Sequence, residues 1–324
     1  MMTPARRGGK YLGAVDLGAS KILSLIAQAD GRRLGEDRRA TDAEQGPERT
    51  LERIVNSLEK ALAEAAVQRS DLAAVGVCSP GPCDTEAGVL RWGPNLPAWR
   101  DVPICRYLEE RLGVPAHLEN DGSAAAVGEH VYGAGRGCRH MIYITVSTGI
   151  GGGLIIDGRL YRGATGIAGE LGHMTIDPDG PRCGCGNHGC LEALASGTAI
   201  AARGEELVAQ GGSPLLAKLA EEEGELTAET VSQAADQGDA ACQGIIRQAG
   251  CYLGIGLGSY LNIFNPQIIV IGGGLSKVGE PLLEPARAEM EARAFPEAVK
   301  AVQLKPAELG DYAGVMGMVA LLGE

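Results

Sequence analysis

The chain has 324 residues, a formal net charge of −12, 45% hydrophobic and 22% charged residues, and only 4% aromatics. That length exceeds one small core and suits two lobes, and the low aromatic content leaves a core of Ala, Val, Leu and Ile. The acidic balance repels phosphate backbones and so disfavours nucleic acid as a partner. No apolar stretch reaches the roughly eighteen residues of a membrane span, so no membrane partner is expected. The basic Met1–Lys10 leads into an apolar run that is too short for a secretory signal and carries Asp16. With nine Cys, an odd count, the expected compartment is the reducing cytoplasm.

Tyr11–Leu17 and Lys21–Ala27 read as strands joined by the turn Asp16-Leu-Gly-Ala-Ser-Lys21. The polar stretch Gly31–Arg49 predicts a strand and a loop. Leu51, Ile54, Val55, Leu58 and Leu62 recur at helical spacing, with Pro47 suited to the first turn. Ala73–Val77 is a short buried strand ending at Ser79-Pro-Gly-Pro82. A strand Val114–Leu118, a helix Gly122–Tyr132, and strands Met141–Val146 and Gly153–Ile156 follow. Gly166–Glu205 holds a Cys cluster and little regular structure at its start. Leu215–Ala235 reads as an acidic helix and Ala240–Phe264 as one long apolar helix. Gln267–Ile271 is a strand, and Ala313–Leu322 a last helix. Strands alternating with helices predict an α/β class. The strand–turn–strand pattern recurs at Asp16–Lys21 and Ser147–Gly153, which predicts two related lobes with a cleft between them. We place the small lobe at residues 1–119 plus about 309–324, and the large one at 120–308.

The strongest local signal is Cys183-Gly-Cys185-Gly-Asn-His-Gly-Cys190. Thiolates favour zinc, and structural zinc takes four ligands. His173 and His188 are the candidates for the fourth. His188 would have to turn inward against its own neighbours, whereas His173 approaches from a separate segment and is preferred. Four protein ligands close the shell and leave no open position for water, so the metal would be structural. A loop of free cysteines is the plain alternative; no C-x-x-C is present for redox chemistry.

Three Gly turns follow strands directly: Asp16-Leu-Gly18-Ala-Ser20-Lys21, Ser147-Thr148-Gly149 onward, and Ile271-Gly272-Gly273-Gly274, the last ahead of an expected helix. Their N–H groups suit phosphate oxygens, and Asp16 can hold Mg²⁺ through water. Any one of them could be only a hairpin turn. Together they point to an ATP site, although neither the dinucleotide fingerprint nor the P-loop occurs. Glu119-Asn120-Asp121 ends one strand and opens a helix. Asp121 is either a helix cap or the carboxylate that takes a hydroxyl proton in phosphoryl transfer. Asn120 suits a sugar hydroxyl, and Asn95 either binds substrate or only shapes a turn. Glu170 and Glu192 flank the Cys loop; they are surface charges or partners for vicinal hydroxyls. Trp92 and Trp99 are read as packing residues.

The segments AVDLGASK, SPGP, PNLPAW, END, STGIGGG, GELGH, CGCGNHGCLE and NPQIIVIGGG resemble the ROK family of sugar kinases and repressors, from Ala14 to about Gly317. The resemblance implies a two-lobed actin-like ATPase fold of the ribonuclease-H-like type. It implies Asp121 as the base that activates a hexose 6-hydroxyl, and a sugar pocket of Asn120, Glu170, His173 and Glu192, with Asn95 and the Ser79–Gly81 turn. Zinc falls to His173, Cys183, Cys185 and Cys190. Nucleotide turns fall on Asp16, Gly18, Ser20, Lys21, Thr148, Gly149, Gly273 and Gly274, with Mg²⁺ accompanying ATP. Ala19-Ser20 departs from the family's frequent Gly-Thr, but Ser keeps the hydroxyl. His173 would serve both metal and sugar. PNLPAW leans towards glucose; fructose, mannose and N-acetylhexosamines are the competing substrates. The resemblance also implies a homodimer or homotetramer. A repressor of this family carries a DNA-binding segment ahead of the first strand, for which about ten residues leave no room. A non-catalytic sugar-binding protein would not need an intact Asp121 with complete Gly turns.

Overall fold

The computed structural model describes residues 9–93, 96 and 98–323. In chain order the elements are β1 (Tyr11–Leu17), β2 (Lys21–Ala27), β3 (Arg33–Ala40), α1 (Pro47–Glu64), β4 (Leu72–Ser79), β5 (Cys83–Asp84), β6 (Val89–Trp92), β7 (Arg100–Val102), α2 (Ile104–Leu112), β8 (Ala116–Asn120) and α3 (Asp121–Tyr132). There follow β9 (Met141–Val146), β10 (Ile150–Ile156), β11 (Arg159–Leu160), α4 (Leu191–Ala195), α5 (Gly197–Ala209), α6 (Pro214–Glu223), α7 (Ala228–Asp236) and α8 (Ala240–Phe264). The remainder are β12 (Ile268–Gly272), α9 (Glu280–Arg293), α10 (Pro296–Ala301), β13 (Gln303–Pro306) and α11 (Ala313–Gly323). Two compact units emerge. The first holds the described residues up to Arg139, Gly153–Gly169, and those from Ala307 on; the second holds His140–Gly152 and Glu170–Pro306.

The first unit is built on a sheet of order β3-β2-β1-β4-β8. β1, β2 and β3 are antiparallel, whereas β1, β4 and β8 run parallel. Leu51, Ile54, Leu58 and Leu62 of α1 and Leu108 and Leu112 of α2 pack against Val15, Val75, Val77 and Leu118. Burying each such side chain stabilises by about 1.5–3 kcal/mol. α11, which is apolar all round, packs against α3, β1 and β4. Gly128 of α3 and Gly317 of α11 let those two helices approach until a Cβ on either would collide with the partner backbone.

In the second sheet the order is β11-β10-β9-β12-β13, with β9, β12 and β13 parallel. α8 lies along α9, and Gly250 and Gly254 face the carbonyls of Leu282 and Ala286 too closely for any side chain. Among the described residues no helix is long and apolar enough to cross a membrane.

The class is α/β with two mixed sheets, as the alternation of elements predicts. Several elements differ from expectation. Leu215–Ala235 is two helices, because Gly224 takes a left-handed conformation after α6 and Thr227 caps α7 anew. The small antiparallel sheet β5-β6-β7 and the helices α2 and α10 are not predicted by the sequence, which gives the helix after Gly274, α9, no bounds. The Gly272–Gly274 turn leads into a short 3-10 segment before α9. Trp99 is buried in the first core, while Trp92 is exposed.

Candidate catalytic edge and metal centre

In the first unit the parallel strands β1, β4 and β8 bring their carboxyl ends to one edge, the usual place for ligands in open α/β sheets. Their register sets Asp16 beside Cys78, Cys78 beside Glu119, and Ser79 beside Asn120. The Asp16–Lys21 turn is a hairpin, since β1 and β2 are antiparallel. The Gly18 N–H donates to the Lys21 carbonyl at 2.9 Å, and the Gly18 carbonyl accepts from Thr41 Oγ1 at 2.7 Å. Ser20 is exposed, and its carbonyl accepts from the Thr41 N–H at 2.9 Å. Lys21 Nζ donates to Asp311 at 2.8 Å, as does Arg38 Nη1 at 2.8 Å. These two cations hold the Asp311 carboxyl down to about 2.

Asn120 caps α3: its Oδ1 accepts from the Ser123 N–H at 3.0 Å, and its Nδ2 donates to the Gly81 carbonyl at 3.4 Å. The capping role thus falls to Asn120, which leaves Asp121 as the first helical residue with its carboxylate free of that task. Asp121 Oδ1 accepts from the neighbouring Gly122 N–H at 2.8 Å. Asp16 and Asp121 keep some solvent access, yet protein surrounds most of each. Burial pushes the Asp121 carboxyl up. Burial first, and the Asp121 charge second, push Asp16 up to about 7, against the opposing pull of Lys21. Carboxylates that resist ionisation at one edge suit a site completed by a cation. Asn95 lies outside the described residues.

In the second unit β9 and β12 are parallel, so the Ser147–Gly149 and Gly272–Gly274 turns also share an edge. The first turn is pinned to the start of α5. Gly197 N–H donates to the Ser147 carbonyl at 2.7 Å, and Thr198 Oγ1 to the Thr148 carbonyl at 2.8 Å. Gly273 sits at φ +87° and ψ 167°, where a Cβ would run into the Val146 carbonyl. Gly274 beside it is exposed, with Ser147 Oγ across from it.

The structure gathers His173, Cys183, Cys185 and Cys190, whose donor atoms all lie within 4.8 Å of one another. Cys185 Sγ and Cys190 Sγ are 3.7 Å apart; Cys183 Sγ and His173 Nδ1 are 3.6 Å apart. Zinc bonds of about 2.3 Å to sulfur and about 2.0–2.1 Å to nitrogen give tetrahedral edges of about 3.5–3.8 Å, so this donor set fits zinc. His188 is elsewhere, exposed, with Nδ1 3.3 Å from the Gly180 carbonyl. The loop is tightly wound: the Cys183 N–H donates to the Asn187 carbonyl at 2.7 Å. Gly189, at φ +62°, presses on the Asp177 carbonyl where no Cβ fits.

His173 Nδ1 faces the thiols, whereas Nε2 points towards Glu170, 3.9 Å from its Oε2. Glu170 is exposed. Tyr260 of α8 fixes the segment by donating to the Leu171 carbonyl at 2.6 Å. Glu192, in the first turn of α4, has Oε1 3.7 Å from Cys183 Sγ and 3.9 Å from His173 Nδ1, while its Oε2 accepts from the Ile150 N–H at 2.9 Å. One carboxylate therefore touches both the metal cluster and the Gly149 turn. The sequence does not reveal this link, nor Asp311 as the partner of Lys21. Nor does it reveal Glu119, read only as part of the turn that opens α3, as the partner of Arg162.

Two α/β units with mixed sheets, Gly turns at strand ends and a pair of half-buried carboxylates define the actin-like ATPase class. Within that class the chain belongs to the ROK family, whose model matches residues 12–324. It is similar to a glucokinase of Thermotoga maritima, 38% identical over 311 residues and covering 96% of each chain. It is also similar to a xylose repressor of Bacillus spizizenii, 31% identical over 324 residues, which are all of this chain and 79% of the repressor. Among solved structures, a ROK family glucokinase from Streptomyces griseus in complex with glucose and AMPPNP is 33% identical, with a TM-score of 0.81 over 96% of this chain and 98% of that one.

Proposed function

We propose that the chain is an ATP-dependent sugar kinase that phosphorylates D-glucose at its 6-hydroxyl, with Asp121 as general base. The observation that carries this reading is the Asp121 carboxylate, freed from capping by Asn120 and raised in proton affinity by burial. A base whose pKa lies nearer the working pH accepts a hydroxyl proton more effectively. As that proton moves to Asp121, the 6-oxygen attacks the γ-phosphorus of ATP and the bond to the β-phosphate oxygen breaks.

The Gly turns are assigned to the phosphates: Ser20 beside Lys21, in the hairpin that the Gly18 N–H closes on the Lys21 carbonyl, Thr148 and Gly149, and Gly273 and Gly274. Mg²⁺ with ATP would lie near Asp16, whose carboxyl is raised in proton affinity by burial and then by the Asp121 charge. Asn120, Gly81, Glu170, His173 and Glu192 are assigned to sugar hydroxyls, together with Asn95. Zinc, when bound by its four protein ligands, supplies rigidity and no open coordination position. It fixes Nδ1 of His173 and leaves Nε2 for a hydroxyl. The preference for glucose rests on similarity to glucokinases; another hexose or an N-acetylhexosamine is the competing substrate.

A coupled-ADP assay over hexoses and N-acetylhexosamines, with ATP and polyphosphate as donors, tests the reading. Glucose with ATP is expected to give the highest kcat/KM. Asp121→Asn is expected to lower kcat by about 10²–10⁴ while calorimetric glucose binding persists. No ADP with any sugar, or full activity of the variant, overturns it. Sugar binding without turnover would instead favour the sugar-sensing branch of the family.

A further inference from the structure

Glu119 stands near the end of β8, with its side chain only 3% exposed. A carboxylate so buried has to be compensated. Its Oε2 accepts from both Nε and Nη2 of Arg162, at 2.8 and 2.7 Å. Its Oε1 accepts from the main-chain N–H of Asn120 at 3.0 Å. The ion pair therefore grips the backbone of Asn120, the residue directly before Asp121. Arg162 does more than neutralise: its own carbonyl accepts from the Ala168 N–H at 3.1 Å, closing the loop that precedes Glu170 in sequence.

Among the described residues the Asp121 carboxylate has no comparable anchor. Its bond to Gly122 is to the next residue along the chain, so its aim is inherited from the backbone. That backbone is held by the Asn120 cap on one side and by Glu119 on the other. We propose that Arg162, acting through Glu119, is a positioning residue that sets the aim of the Asn120–Asp121 turn. The inference rests on the reading of Asp121 as general base. A cavity of about 300 Å³ beside the pair, lined by Thr85, Glu86, His117, Glu119, Arg162 and Met318, gives water access to Glu119 once Arg162 is shortened. Truncation then need not collapse the site.

A double-mutant cycle on the full-length protein tests this. Wild type, Arg162→Ala, Asp121→Asn and the double variant are compared by kcat, by KM for ATP and for glucose, and by melting temperature. Misplacing a reacting group by about 1 Å costs on the order of 10²-fold, so Arg162→Ala is expected to lower kcat by about that factor with KM for ATP unchanged. In the Asp121→Asn background the same change is expected to cost less than about threefold, because the group it aims is gone. Arg162→Lys, which keeps the charge but not the fork, is expected to recover part of the rate. If Arg162→Ala does not fold, Glu119→Gln with Arg162→Met removes both charges together and is expected to fold with the same loss of kcat. Full activity of Arg162→Ala, or of that neutral pair, overturns the inference while leaving Asp121 in place. An equal loss in both backgrounds overturns it too, as general damage. Full activity of Asp121→Asn overturns the base reading itself.

Discussion

Asp16→Asn isolates the charge at the catalytic edge without changing its shape. Asp16 has a proton affinity near pH 7 in the folded chain against 3.8 for an ordinary aspartate. Between those values the native state binds more protons than the unfolded state, so stability falls as pH rises. At about 1.4 kcal/mol per decade of proton affinity, the whole interval amounts to about 4 kcal/mol, of which about 3 kcal/mol falls between pH 5 and pH 8. The asparagine variant does not titrate and escapes this loss. Urea unfolding of both proteins, without Mg²⁺ or nucleotide, measures it. The expected result is that the variant gains about 3 kcal/mol on wild type from pH 5 to pH 8, and is the more stable of the two at pH 8. Curves that run parallel, or a wild type that gains on the variant as pH rises, refute the reasoning. Because the Asp121 charge is the second contribution to the Asp16 shift, Asp121→Asn should flatten part of the same slope.

Chelation should remove about one zinc per chain and lower the melting temperature, since structural zinc contributes roughly 10–16 kcal/mol in small zinc peptides; an unchanged melt on complete metal loss contradicts the structural role. His188→Ala should leave metal content intact, and zinc loss there would show that the wrong histidine was chosen. Gly273→Ala forces a side chain into a glycine-only conformation against the Val146 carbonyl. It should cost at least about 1–3 kcal/mol and raise KM for ATP more than KM for glucose, and a neutral effect on both would remove Gly273 from the nucleotide site.

Elements with strong periodicity were legible from residues alone. α8 matches its expected span, Ala240–Phe264, and β1 and β2 match theirs. α9 was legible as a helix after the Gly274 turn but not in its bounds, because its packing partner is a row of backbone contacts: Gly250 and Gly254 of α8 receive its carbonyls. The strands of the β5-β6-β7 sheet are two to four residues long, too short for alternation to register. In the candidate site, the Cys cluster and the Gly turns announce themselves locally, since metal wrapping and phosphate cradles need particular residues at close spacing. The couplings do not. Glu119 with Arg162, Glu192 with the Ile150 N–H, and Lys21 with Asp311 are long-range contacts that only the fold brings together.

The discontinuous first unit has a consequence for how the chain is made. Its sheet and α3 emerge early from the ribosome, but α11, which covers β1, β4 and α3, is synthesised only after the whole of Glu170–Pro306. Until then one face of the sheet that carries Asp16 lacks its apolar cover, while every segment of the second unit is already available to fold. Domains generally fold as units during synthesis, and exposed apolar surface invites aggregation. The second unit, with its Cys₃His cluster, thus has all its segments available first, and the candidate edge at Asp16 is covered only once α11 docks.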